Sequence, residues 1–119
     1  MKNILLTLTL ALLTLTAAAQ AKPVAVRPAQ AQILTSAVCD MCKTALEKAM
    51  AYEKGVKAAE LDVASKMLTI VYQPDKTTVE KLRQAVARAG YDADSVAADP
   101  RAYQRLPDCC RKDVAPHGD

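Results

Sequence analysis

Residues 56–63 and 66–72 alternate apolar and polar with a period of two, and only Ala64 and Ser65 lie between them. Strands joined that tightly pair antiparallel as a hairpin, because two residues cannot carry the crossover that a parallel partner needs. Ala59, Leu61 and Val63 share one face of the first strand, and Leu68, Ile70 and Tyr72 share one face of the second. A hairpin with one apolar face is unstable alone and must be covered.

The flanking sequence supplies the cover. Residues 40–54 carry Cys42, Ala45, Leu46, Ala49 and Met50 at helical spacing, and Gly55 stands where a helix C-terminal glycine belongs. After the hairpin, Thr77 and Glu80 read as a capping box ahead of Val79, Leu82, Ala85, Val86 and Ala89, with Gly90 as terminator. Short apolar runs at 32–37 and 91–97 fit two further strands. The order strand, helix, strand, strand, helix, strand predicts an α+β sandwich: a four-stranded antiparallel sheet with both helices on one face. The expected core is Leu34, Leu46, Met50, Leu61, Leu68, Ile70, Leu82, Val86 and Val96. It contains no Phe or Trp, because the chain has none. A core of small aliphatic residues encloses little space for an organic substrate, so an enzyme is not expected.

The 119 residues divide into four parts. Lys2, an apolar run at 4–15 and Ala17-Ala18-Ala19 form a secretory signal peptide over 1–19, with cleavage expected after Ala19. The run of about 12 residues is shorter than the roughly 20 a membrane span needs. Residues 20–30, with Pro23 and Pro28, read as a flexible linker. The sandwich occupies 31–97, and 98–119 form a tail in which Asp99-Pro100 starts a short helix to about Arg105. The expectation is an exported, periplasmic or secreted protein whose mature chain does not span a membrane and is a monomer. A formal charge of +3 from 16 basic and 13 acidic residues is too weak and mixed for a nucleic-acid binder.

Cys39 and Cys42 carry the chemistry. C-x-x-C at the start of a helix brings two sulfurs together where unsatisfied N–H groups and the positive dipole end favour thiolate. A thiolate pair is a soft donor set, suited to Cu(I), Hg(II) or Zn(II) and poor for Mg(II) or Ca(II).

These cysteines after the first strand, Gly55-Val56 after the first helix, Ile70-x-Tyr72 before a turn and Ala89-Gly90-Tyr91 after the second helix resemble the heavy-metal-associated domain family. That family includes copper chaperones, the metal-binding modules of metal-pumping ATPases and the periplasmic mercuric-ion binding protein, whose layout with a leader is the most similar. The resemblance implies a ferredoxin-like fold that binds one soft ion (copper, mercury or zinc) through Cys39 and Cys42. It implies delivery by ligand exchange to a membrane transporter, a P-type ATPase or another metal-binding domain. Val38, Asp40, Met41 and Tyr91 then neighbour the metal loop. The chain departs from the family's usual Gly-Met-Thr before the first Cys, carrying Ser36-Ala37-Val38, and its nearest carboxylate is Asp40, between the sulfurs.

The tail adds Cys109 and Cys110. Three readings stand: extra metal ligands folded over Cys39 and Cys42, disulfide partners of those residues, or thiols of a disordered tail. His117 reads as a solvated residue rather than a ligand. Met41 reads as packing or exposed, Tyr52 and Tyr72 as core or edge packing, Tyr91 as a shield of the loop and Tyr103 as an anchor of the tail. The charged residues of helix one read as a solvated face, with Lys43 paired to Glu47. Two further function classes fit a C-x-x-C: a structural zinc module using all four Cys, and a thiol-disulfide oxidoreductase. The second lacks the usual Gly-Pro between its cysteines and a preceding Trp.

Overall fold

The computed structural model describes residues 27–112, so the leader, the first part of the linker and His117 lie outside the described residues. Strand β1 (Ala29–Leu34) leads to helix α1 (Asp40–Ala51), followed by β2 (Val56–Asp62), β3 (Met67–Tyr72) and helix α2 (Val79–Arg88). A short helix α3 (Pro100–Gln104) and a single 3-10 turn (Asp108–Cys110) follow. The hairpin forms as expected: β2 and β3 pair antiparallel with Leu61 opposite Leu68, and Lys66 takes a positive φ of 62° in the turn. Strand β1 adds to the other edge of β3, with Ile33 opposite Leu68 and Ala31 opposite Ile70. Leu61, Leu68 and Ile33 thus run across the sheet as one apolar row. Helices α1 and α2 close that face with Leu46, Met50, Leu82 and Val86, all fully buried in a single core.

Four elements depart from expectation. Among the described residues the sheet has three strands, ordered β1-β3-β2. Where a fourth was expected, Ala93 makes one bridge to Thr35 and then turns back on Val96. Asp94 explains the stop: its φ is 51°, outside strand geometry, and its carboxylate rather than a backbone carbonyl takes the Leu34 N–H at 2.9 Å. A side chain has replaced a ladder hydrogen bond, so pairing ends there.

β1 begins at Ala29 instead of residue 32, and its faces are the reverse of those expected. Ala31, Ile33 and Thr35 are buried, whereas Leu34 is 49% exposed; Val96 is only partly buried. An apolar run at 32–37 does not alternate cleanly, so its inward side is set by the register with β3.

α2 is capped by Thr78, whose Oγ1 accepts the Lys81 N–H at 3.2 Å, and not by Thr77, which is buried. The carboxylate of Glu80 bonds Arg83 and Gln84 in place of completing a capping box.

α1 ends at Ala51 rather than Lys54, and Tyr52 is 83% exposed instead of packed. Glu47 and Lys43 pair as expected, but they also reach the edge of the sheet: Glu47 Oε1 accepts the Leu61 N–H at 2.9 Å, and Lys43 Nζ donates to the Leu61 carbonyl at 3.0 Å. The pair staples α1 to β2 as well as facing solvent. Among the described residues no helix is long and apolar enough to cross a membrane.

Candidate metal centre

The chain leaves β1 through a segment that is tightly held. Thr35 accepts the Ala37 N–H and bonds the Lys66 carbonyl at 3.0 Å, while Ser36 Oγ accepts the Asp92 N–H at 2.9 Å. Ala37, in the place of the family's Met, is fully buried in the same core as Tyr91 and Cys110. With that segment pinned, Cys39 becomes the N-cap of α1, and its sulfur accepts the Cys42 N–H at 3.4 Å. A thiol at this place satisfies one of the helix's unpaired donors and sits at the positive end of the dipole.

Cys42 lies in the first turn of the helix and is fully buried, with its Sγ 2.9 Å from that of Cys39. All four cysteines are free thiols.

The tail folds back onto this pair. Asp99 caps α3 by accepting the Ala102 N–H at 2.9 Å, and its own N–H donates to the Ala87 carbonyl at the end of α2. Gly90, with φ +104°, lies so close beneath α3 that a Cβ on it would stand 3.0 Å from the Ala102 carbonyl oxygen. Leu106 packs against the core, and Tyr103 is half-buried beside Asp92 and Lys112. Lys112 bonds the Asp92 carboxylate at 2.6 Å.

Those attachments bring the 3-10 turn over the N-terminus of α1. Cys110 is 2% exposed with its sulfur 3.5 Å from Cys39, and Cys109 is exposed with its sulfur 3.4 Å from Cys39. Cys39, Cys42 and Cys110 form a group whose sulfurs lie within 4.8 Å of one another.

The cluster has an electrostatic gradient. Burial pushes the Cys39 thiol up, but hydrogen bonds with the Cys42 thiol and amide and with the thiols of Cys109 and Cys110 outweigh it and bring it down to about 7. Cys110 is pushed above the ordinary thiol range by burial and by its Cys42 and Cys39 neighbours. Tyr91 is 1% exposed, and its hydroxyl is buried beside Cys42 and Cys110 without a well-formed hydrogen bond. Burial first, then those two thiols, push its phenol up. Val38 and Met41 are exposed beside the site, as is Asp40 in the first helical turn. The donors are sulfur alone, a set that fits a soft ion of low coordination number and not Mg(II) or Ca(II).

The sequence pointed to Cys39 and Cys42, and the structure unites with them the two tail cysteines whose place had three readings. It leaves Asp40 in solvent. The residues missed by sequence reasoning are those that hold the loop and the tail: Thr35, Ser36, Asp92 and Lys112. Each acts through a contact between distant segments, for which no local pattern exists.

Residues 36–92 match the heavy-metal-associated domain. Over 54 residues the chain is 35% identical to the copper chaperone CopZ of Staphylococcus haemolyticus, an alignment covering 45% of this chain and 79% of that protein. The chain belongs to the heavy-metal-associated domain family. A second relative of this family member is the mercuric transport protein periplasmic component of Shewanella putrefaciens, 34% identical over 53 residues, covering 44% of this chain and 58% of that protein. Among solved structures, the Cu(I)-loaded N-terminal domain of a potential copper-translocating P-type ATPase from Bacillus subtilis superimposes with a TM-score of 0.52 at 25% identity. That match covers 60% of this chain and 99% of the other. The heavy-metal-associated domains so matched share the ferredoxin-like α+β arrangement. The tail from residue 98, which completes the sulfur cluster, lies beyond the matched segment.

Proposed function

We propose that this protein is an exported carrier of a soft metal ion. It takes soft metal on Cys39 and Cys42, with Cys110 and Cys109 of the tail closing over that site, and passes it to a membrane transporter, such as a P-type ATPase, or to another metal-binding domain. The observation that supports this most is the closure of the tail: four thiols from two segments some seventy residues apart meet at one helix N-terminus. Bringing thiols together without a disulfide concentrates groups that repel once ionised, an arrangement that a soft cation relieves. The copper and mercury relatives support the soft-metal class, and the leader supports export.

Transfer needs no redox step. An incoming thiolate of the partner joins the ion while one of these thiolates leaves, so the charge on the metal is unchanged. Cys109 is the exposed thiol and Cys42 and Cys110 are buried, which makes Cys109 the ligand a partner meets first. Cys39 is next, being half-buried and in contact with all three others.

Anaerobic Cu(I) titration against a competing chelator tests the proposal. The double variant Cys39→Ser with Cys42→Ser should lose stoichiometric binding, and a chain ending at Pro107 should bind more weakly than one that retains the tail. Unchanged binding in the double variant overturns the assignment of the primary ligands. A melt of the metal-free protein separates a carrier, which stays folded without its cargo, from a structural zinc module, which unfolds.

A further inference from the structure

We propose that the cluster holds two monovalent soft ions of the Cu(I) class rather than one. The inner ion sits among Cys39, Cys42 and Cys110, and the outer one is held by Cys109 and the Met41 thioether, with Cys39 bridging the pair. This rests on the carrier reading and names both the class of its cargo and a second site for it.

The spacing of the sulfurs divides the donors into an inner and an outer set. A metal–sulfur bond is about 2.3 Å, so two sulfurs on one ion stand at most about 4.6 Å apart, and about 3.8 Å in a tetrahedral site. Cys39, Cys42 and Cys110, within 4.8 Å of one another, reach this range with only a slight contraction. Cys109 stands outside that group, because its sulfur is not within that distance of all three. Its neighbours are Cys39 at 3.4 Å, Cys110 at 3.8 Å and the Met41 Sδ, also at 3.8 Å. The Cys109–Met41 separation is that of two ligands on one ion.

Chemistry selects the ion. A thioether is neutral and soft; it competes poorly for Zn(II) but is a fitting ligand for Cu(I). The chain places one in the C-x-x-C loop, on a side chain that is 54% exposed and so is not held there by core packing. Cys39 touches Cys42, Cys109 and Cys110 within 3.5 Å. A thiolate has lone pairs to spare after binding one metal, and the sulfur at the centre of the cluster is the one placed to bridge. The balance is simple: the four thiols release their protons as the ions enter, and both ions stay in the +1 state. The outer ion, bound by an exposed thiol and an exposed thioether, loads last and leaves first, which makes it the one handed to a partner.

Native mass spectrometry of the full mature chain, loaded with Cu(I) anaerobically in excess competing thiol, counts ions per monomer. The expected result is two, with a metal–metal scattering shell in X-ray absorption. Met41→Leu, at an exposed position where the fold does not depend on the sulfur, should keep one ion and lose that shell, and Cys109→Ser should do the same. One ion per monomer in the unaltered protein, two ions only in a dimer, or two ions retained by Met41→Leu would each overturn the two-ion site while leaving the carrier reading intact. Retention of no copper by the unaltered protein would overturn both.

Discussion

Truncating Ile33 should be far more damaging than truncating its neighbour Leu34, although the two are adjacent and equally apolar. Ile33 has no exposed surface and stands opposite Leu68 in the row that crosses the sheet, under the helices. Ile33→Ala removes three carbons from a closed core. Such substitutions cost about 2–5 kcal/mol, more where the surroundings cannot collapse. β1 is pinned on one side by six paired residues of β3 and just beyond its end by Thr35, so collapse is limited and about 3 kcal/mol is expected. For a domain of this size each kcal/mol moves the melting temperature by about 4–8 °C, so the shift is roughly 12–24 °C. Leu34 is 49% exposed and points to the other face, and Leu34→Ala should stay within about 0.5–1 kcal/mol. Circular dichroism melts of the two metal-free variants, in reductant, give the comparison directly. A Leu34→Ala shift equal to or larger than that of Ile33→Ala would mean that β1 is paired one residue out of register. The path by which the chain enters Cys39 would then be different too.

Three other outcomes are expected. Gly90→Ala should destabilise the protein by about 1–2 kcal/mol through its left-handed backbone, and its Cβ should also lift α3 off the domain. Limited trypsin digestion should then cut sooner after Arg101 and Arg105, and an unchanged digestion rate would refute the close packing of the tail. Asp94 is held below the ordinary carboxyl range by Arg83 first and then by the Leu34 N–H, against the opposing effect of burial. Its contribution to stability is therefore complete above about pH 4 and is lost as pH falls through the lower folded value. Asp94→Asn should accordingly melt lower than the parent near neutral pH, by a gap that narrows as pH falls below about 4; a gap that does not narrow in acid would refute the assignment. Finally, iodoacetamide should modify Cys39 before the more exposed Cys109 in the metal-free protein. The rate should rise through about pH 7, where the Cys39 thiol ionises, as peptide mapping across a pH series would show. Preferential labelling of Cys109 would refute the thiolate assignment.

Patterns confined to one segment were legible in the sequence, and patterns needing two were not. The hairpin, both helices, Gly90 as a terminator and the thiol pair at a helix start follow from alternation, helical spacing and the conformational freedom of glycine, all of which are local. The inward face of β1 is not legible in the sequence because its apolar run lacks a strict period, so only pairing with β3 decides between Ile33 and Leu34. The N-cap of α2 falls on Thr78 instead of the expected Thr77, because tertiary packing buries Thr77. The fourth strand had the right place but failed to extend, since Asp94 satisfies the edge of β1 with a carboxylate instead of a carbonyl.

The sequence by itself determined the fold class and the chemistry of the primary site, because strand alternation, helix periodicity and C-x-x-C spacing are set by backbone geometry within a few residues. Only the tertiary structure decided what the tail does. Cys109 and Cys110 join Cys39 because α3 docks over Gly90, Asp99 bonds the end of α2 and Lys112 meets Asp92. No spacing along the chain encodes the meeting of two segments so far apart; it follows from surfaces that exist only after the domain has folded.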